Sequence, residues 1–335
     1  MESLVSIIIP NRNGADTIGT CLAAAQASHY GNFEIIVVDD GSEDNSIEVI
    51  KRYPCKLVRL ERHGGAARAR NTGASHSRGR ILFFTDADCL LLPDTLALAA
   101  ATLAREGSNA IIGGTYPPAP HDRRFFSRFQ SAFINYFETR HAPAADYIAT
   151  HALAVDASVF RCNRGFAEEV RPVLEDVEFS HRLRRAGCKL VMNPAIRVRH
   201  IFNYSLMRSL RNAFTKSLYW TGYAIRNRDL LADSGTASVG LKLNVLVFAG
   251  NAGLLYAFAL TGKMILLALA ALAFAVNLFV NWGLLLAYRR AEGPGFALLA
   301  ALYYLLLYPL AVGAGAGAGL LRHLFSSPVR SQEHG

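Results

Sequence analysis

Two carboxylates one residue apart, Asp86 and Asp88, close the short apolar run Ile81–Phe84 within RILFFTDADCLLLP. That run has the length and the aromatic and β-branched content of a buried strand, so the acids are expected at a strand's carboxyl end. In an open α/β sheet that edge is where ligands bind, and two such acids can hold a hard divalent cation whose remaining positions go to diphosphate oxygens. Acid pairs are common in turns and caps, so D-x-D by itself is weak and draws its meaning from the rest of the chain. A second pair, Glu175–Asp176, opens a helical pattern in which Val177, Phe179 and Leu183 alternate with a basic face until Ala186-Gly187 ends it. Acids in a first helical turn also suit the helix dipole.

The elements that would position these acids read as alternating strands and helices. Val5–Pro10 is an apolar run closed by Pro10-Asn11-Arg12-Asn13-Gly14, and a helix is expected from an N-cap at about Asp16 to the break near His29. A second strand, Phe33–Val38, again ends on acids, Asp39-Asp40-Gly41-Ser42, and a third covers Lys56–Leu60. His63-Gly64-Gly65 then leads into a small-residue helix, Ala66–Ser77, carrying Arg70 and Asn71. Strand–helix alternation at this spacing predicts a parallel sheet with right-handed crossovers. Beyond Pro93 the pattern predicts a helix to Arg105, a strand over Asn109–Gly114, and a strand with a short helix over Tyr147–Phe160.

Four motifs in this order, VSIIIPNRN at Val5–Asn13, IVVDDGS at Ile36–Ser42, ARNTG at Ala69–Gly73 and Asp86-Ala87-Asp88, resemble the nucleotide-sugar half of a family 2 glycosyltransferase with the GT-A fold. The later E-D, helix, R-x-x-x-G, strand, Pro, V-x-H sequence within Arg171–His200 resembles the same family, so the likeness spans about residues 4–200. The resemblance implies nucleotide-sugar binding by Pro10, Asn11, Asn13, Asp39, Asp40, Arg70, Asn71 and Asp86. It implies Asp176 as general base with Glu175 as a support or acceptor contact. It further implies a Mg or Mn ion on Asp88, with Asp86 and His200 as additional candidates. An arginine fork suits phosphate oxygens, and a carboxylate can accept from a pyrimidine N–H.

Composition divides the chain further. The 335 residues are 52% apolar, but from Val239 to Leu321 charges nearly vanish. Three apolar segments there, about Val239–Leu260, Met264–Tyr288 and Phe296–Leu321, are each long enough to span a bilayer, which takes about 20 residues. Before them Asn203–Arg228 reads as an amphipathic basic helix lying on a membrane surface. The expected organisation is a GT-A domain at 1–200, an interfacial segment at 201–238, transmembrane helices at 239–325 and a tail at 326–335. In Arg123–Arg140, Phe125, Phe129, Phe133 and Phe137 recur every four residues beside arginines. They form either an interfacial helix or a stripe packed on the domain's own core. The formal charge of +9 is concentrated around the apolar segments, which favours anionic lipid over nucleic acid. Five scattered cysteines without a C-x-x-C pair argue against disulfides and zinc. The first residues lack the basic start and long apolar run of a secretory signal, so a bacterial-type, multi-pass inner (plasma) membrane protein with a cytoplasmic catalytic domain is expected.

The expected reaction is inverting transfer of one sugar from a nucleotide-diphosphate donor to a hydroxyl of a lipid or lipid-linked acceptor. A base candidate favours a hydroxyl, because a phosphate is already ionised at neutral pH. Processive synthases resembling this family carry Q-x-x-R-W on an interfacial helix, and no such run occurs between His200 and Asp229. A polyprenyl-phosphate glycosyltransferase is the alternative enzyme. A nucleotidyltransferase would carry a Gly-rich, basic opening after the first strand, where Pro10-Asn11-Arg12-Asn13 stands instead. A catalytically inactive membrane scaffold would have no chemical reason to keep Asp86, Asp88, Glu175 and Asp176 together.

Overall fold

Runs of consecutive apolar residues become strands buried on both faces: Val5, Ile7, Ile8 and Ile9, then Ile36, Val37 and Val38, then Ile81–Phe84. The computed structural model describes residues 2–169 and 174–325, so the beginning of the Arg171–His200 stretch and the expected tail 326–335 lie outside the described residues. The chain divides into two units, Met1–Tyr204 and Ser205–Gly335, four residues beyond the expected boundary at 200/201.

The first unit runs β1 (Val5–Asn11), α1 (Ile18–Gln26), β2 (Phe33–Asp39), α2 (Ser46–Ile50), β3 (Lys56–Arg59), α3 (Ala66–Ser75), β4 (Ile81–Phe84), β5 (Cys89–Leu91) and α4 (Thr95–Glu106). It continues with β6 (Ala110–Thr115), α5 (Phe125–Thr139), β7 (Leu153–Asp156), α6 (Ala157–Cys162), α7 (Glu175–Arg185) and β8 (Lys189–His200). The sheet order is β3-β2-β1-β4-β7-β6-β8-β5. The first four expected strands pair in parallel, with β1 between β2 and β4. The sheet as a whole is mixed rather than parallel, because β7 lies antiparallel to both β4 and β6, and β5 antiparallel to β8. Asp16 does not cap α1; the cap position is Thr17.

A cluster of rings ties the two acidic stretches together. Phe84 at the end of β4 packs 5.1 Å from both Phe160 and Phe166, and Phe166 lies 4.7 Å from Phe179 on α7. The D-x-D loop and the start of α7 thus rest on one buried aromatic cluster. The Phe stripe of α5 takes the core alternative: Phe129, Phe133 and Phe137 are buried, and the helix packs on β6 and β8.

The second unit comprises α8 (Leu206–Asn227), α9 (Val239–Thr261), α10 (Met264–Val280), α11 (Trp282–Glu292), α12 (Pro294–Leu302), a π-helical turn (Tyr303–Leu307) and α13 (Tyr308–Phe325). Among the described residues, two helices are long and apolar enough to cross a membrane, Val239–Thr261 and the continuous Pro294–Phe325. A third span requires counting α10 and α11 together, and that pair is bent by 57°. Leu246, Leu255, Leu260, Leu272 and Phe279 expose most of their side chains, a surface suited to hydrocarbon rather than water. The bend and the π-turn free backbone groups, and a ring of side chains meets them. Asn281 donates to Asn277 (2.9 Å), Asn277 to Asn244 (2.8 Å), Asn244 to the Tyr304 carbonyl (2.7 Å), and the Tyr304 hydroxyl to Asn281 (2.9 Å).

α8 packs lengthwise on α13. The small-residue run of α13 makes this possible, since a Cβ on Gly315 would overlap the Phe214 carbonyl and one on Gly319 the Leu218 carbonyl.

Candidate active site

The loops after β1 and β2 are knitted together by the residues expected to hold the nucleotide. Asn11 donates to Asp39 (2.9 Å), whose carboxylate also accepts from the Ser42 hydroxyl (2.6 Å) and backbone N–H (3.1 Å). The Asn13 backbone donates to Ser42 Oγ while its side chain accepts from Glu43 N at 2.8 Å. Asn13 sits at φ +50°, a left-handed conformation that asparagine tolerates. Asp40, buried, accepts from Gly64 N (2.6 Å) and Gly65 N (2.8 Å) and pairs with His63 Nδ1 at 2.7 Å. Two bonded groups thus flank half-buried Pro10, one of Asn11, Asn13, Asp39 and Ser42, the other of Asp40 with His63, Gly64 and Gly65.

Arg70 and Asn71 leave α3 in two directions. The Arg70 guanidinium, 4% exposed, donates Nη2 to Asp86 (2.7 Å) and Nη1 to Glu175 (2.6 Å). It joins the D-x-D loop to the start of α7, where the expectation had it approaching a diphosphate. Asn71 clamps the chain before α7, accepting from Phe166 N (2.9 Å) and donating to Phe166 O (2.8 Å) and Glu168 Oε1 (2.9 Å). Burial alone would raise the Asp86 carboxyl, but Arg70, with smaller contributions from His151 and His200, holds it below the usual carboxylate range.

Asp176 follows buried Glu175 in the first turn of α7. Its Oδ2 lies 3.4 Å from the Thr150 backbone N–H and its Oδ1 accepts from Val177 N at 2.8 Å. Leu174, immediately before the pair, holds φ +90°, a strained conformation for a leucine of the kind that concentrates at functional sites.

Asp88 and His200 meet at the edge where β5 pairs with β8: His200 Nε2 lies 3.4 Å from Asp88 Oδ2. With Cys89 they form a group whose potential ligand atoms lie within 4.8 Å of one another. Cys89 is fully buried, and burial, reinforced by Asp88 and Asp86, pushes its thiol well up, so it stays a neutral, soft donor. Asp88 and His200 are both reachable from solvent; the carboxylate suits a hard divalent cation, and the imidazole fits a transition ion such as Mn better than Mg. Asp86 is held by Arg70.

Sequence reasoning missed Glu138 and His151. His151 Nε2 lies 3.5 Å from Glu138 Oε2, and both side chains are at most 7% exposed. Glu138 also accepts from Thr115 Oγ1 at 2.7 Å, and Thr85, next to Asp86, donates to the His151 carbonyl at 2.9 Å. Burial would lower the His151 pKa, but Glu138 above all, and then Asp86 and Asp176, raise it above the usual histidine value. Thr115 follows Gly113-Gly114, where Cβ atoms would press on Ile148 and Ile196 and the β6–β8 register shifts.

Comparison with known proteins gives consistent findings. Residues 6–163 match the sequence profile of "Glycosyl transferase family 2". The chain is 28% identical over 131 residues to glycosyltransferase GlyG of Streptococcus pneumoniae serotype 4, covering 38% of this chain and 44% of that protein. It is 35% identical over 123 residues to glycosyltransferase AglE of Haloferax volcanii, covering 34% and 40%. The match thus spans less than half the length of these two relatives. It is 23% identical over 252 residues to UDP-Glc:alpha-D-GlcNAc-diphosphoundecaprenol beta-1,3-glucosyltransferase WfgD of Escherichia coli, covering 64% of this chain and 96% of that one. Among solved structures, the mannosyltransferase PcManGT of Pyrobaculum calidifontis, in complex with GDP-Man and Mn2+, shares the fold with a TM-score of 0.59 at 20% identity, over 97% of this chain and 88% of that one.

Proposed function

The chain belongs to glycosyl transferase family 2, and on that premise we propose that it moves one sugar, with inversion, from a nucleotide-diphosphate donor to a hydroxyl of a lipid or lipid-linked acceptor at a membrane. The observation that carries this reading is the convergence on one sheet edge of the Asp88–His200 pair and of Glu175–Asp176, joined through Arg70 and Asp86. The WfgD relative, named for transfer to a diphosphoundecaprenol-linked sugar, supports the lipid-linked acceptor.

Asp88 and His200 would hold a divalent ion, which when bound supplies positive charge opposite the leaving diphosphate. Asp176 removes the proton of the acceptor hydroxyl as that oxygen attacks the anomeric carbon from the face opposite the diphosphate. The Thr150 N–H and the amide of Val177 keep its carboxylate aimed. Glu175 and Asp86, paired with Arg70, fix the distance between the donor end and the base. Asn11, Asn13, Asp39 and Asp40 hold the nucleotide edge in shape around Pro10. The apolar helices of the second unit suit a bilayer, where a lipid acceptor is available, and so support this acceptor class.

The test is sugar transfer by detergent-purified protein with UDP-, GDP- and dTDP-sugars, Mn or Mg, and total membrane lipid. Wild type should label a lipid only with metal present, and Asp88→Asn and Asp176→Asn should each lose at least about a hundredfold in rate. Transfer by Asp176→Asn at the wild-type rate would remove the base assignment and favour a phosphate acceptor. Donor binding without turnover in wild type would sink the enzyme reading.

A further inference from the structure

The buried residues behind His200 form a continuous column. Tyr116 stacks on His151 with ring centroids 4.1 Å apart and a 27° interplanar angle, and presents its ring edge-on to His200 at 5.4 Å and 88°. Phe202, two residues beyond His200 and so on the same side of the extended chain, lies flat on the His200 ring at 4.0 Å and 7°. It also meets Tyr116 edge-on at 5.5 Å. At the far end, Glu138 holds His151 at 3.5 Å and Thr115 at 2.7 Å.

We propose that Glu138, His151, Tyr116 and Phe202 are positioning residues that fix the ring plane of His200 against Asp88, so that the ion site is preorganised by side chains that touch neither ion nor substrate. The inference rests on the reading that Asp88 and His200 hold the ion. Three features set this column apart from ordinary core packing. First, the ring contacts constrain His200 on one face and one edge, leaving Nε2 directed at Asp88. Second, the column ends in a buried ion pair instead of an apolar side chain. A buried carboxylate beside a histidine is retained at a desolvation cost that apolar residues would avoid. Third, Glu138 sets a carboxylate against His151, so a proton taken up by that imidazole adds no net positive charge to the column. Groups that orient a metal ligand from behind typically change affinity by about 10–100-fold when removed.

The experiment is Mn(II) binding by the full chain in detergent, followed by electron paramagnetic resonance with saturating UDP and, separately, GDP. Tyr116→Leu and Glu138→Gln should weaken Mn(II) binding by about tenfold or more, whereas Tyr116→Phe, which keeps the ring, stays within about twofold of wild type. His200→Ala serves as the reference. If His200→Ala weakens binding while folded Tyr116→Leu and Glu138→Gln bind as wild type does, the column is packing only and the proposal is overturned with the metal reading intact. If His200→Ala binds Mn(II) as wild type does, the ligand assignment falls and the proposal with it. Glu138→Gln changes no volume, so it decides the matter even where Tyr116→Leu does not fold.

Discussion

Arg70 and Glu175, 105 residues apart, meet through a 2.6 Å hydrogen bond in which both side chains are almost fully buried. The same guanidinium binds Asp86, so one arginine bridges two acids and fixes the D-x-D loop against the base-bearing helix. Arg70→Ala would strand Glu175 in the interior, and breaking a buried pair by removing one partner costs about 3–5 kcal/mol. Arg70→Lys keeps the charge but cannot span both carboxylates with a fork, so it should lose activity more than stability. Thermal melting beside sugar transfer separates the two. A Lys variant with wild-type turnover would show that the spacing set by Arg70 does not matter.

Asn71 acts one residue later and on the backbone. Its side chain takes both backbone groups of Phe166, as a neighbouring strand would. Asn71→Ala leaves two groups of that residue unpaired, at about 1–3 kcal/mol for each one that water does not reach. Amide hydrogen exchange at Phe166 should accelerate, with exchange at Ile8 in the central strand unchanged. Equal acceleration at both would mean global destabilisation instead of a local clamp.

The parts of the site that could be read in the sequence are those made by local pattern. The runs Val5–Ile9, Ile36–Val38 and Ile81–Phe84 are dominated by apolar residues, and the polar turn after the first and the acids after the other two follow directly. The first turn of α7 was visible in the same way. Strand direction in β7 was not, because four residues, LAVD, carry no sign of which way they pair. Arg70's partners were hidden by separation along the chain: Asp86 is 16 residues away and Glu175 105. His151 and Glu138 lie on different elements, and a lone histidine gives no hint that a carboxylate waits for it. The α5 stripe was ambiguous because four-residue spacing serves a core and a membrane surface equally, and only the neighbouring strands β6 and β8 decide.

His151 also makes a prediction about pH. It is faced by Glu138 from α5, Asp86 after β4, Asp176 on α7, and, through Tyr116 after β6, by His200 of β8. Because its folded pKa lies above the ordinary histidine value, its charge contributes stability in full below about 6.5, the unfolded pKa. That contribution is lost as pH rises through the folded value. The melting temperature of wild type should therefore decline on the alkaline side of that window more than that of His151→Gln. Parallel declines in the two proteins would show that His151 does not titrate in linkage with folding.

In the second unit the seam between α8 and α13 allows a comparison within one helix. Gly315 and Gly319 lie one turn apart against α8 backbone carbonyls, whereas an added Cβ on Gly317 meets nothing within 4 Å. In a helix, glycine to alanine at an open position stabilises by up to about 1 kcal/mol, because the unfolded chain loses freedom and no contact is disturbed. Gly317→Ala should therefore melt at or above the wild-type temperature in detergent. Gly315→Ala must push the Phe214 carbonyl away from α13, which outweighs the same backbone gain, so it should melt lower. Gly319→Ala should follow Gly315→Ala, since its Cβ meets the Leu218 carbonyl and the Thr221 side chain. The ordering is the informative quantity, because helix propensity alone raises all three variants alike. Three equal melting temperatures would mean that α8 does not rest on α13 through these glycines.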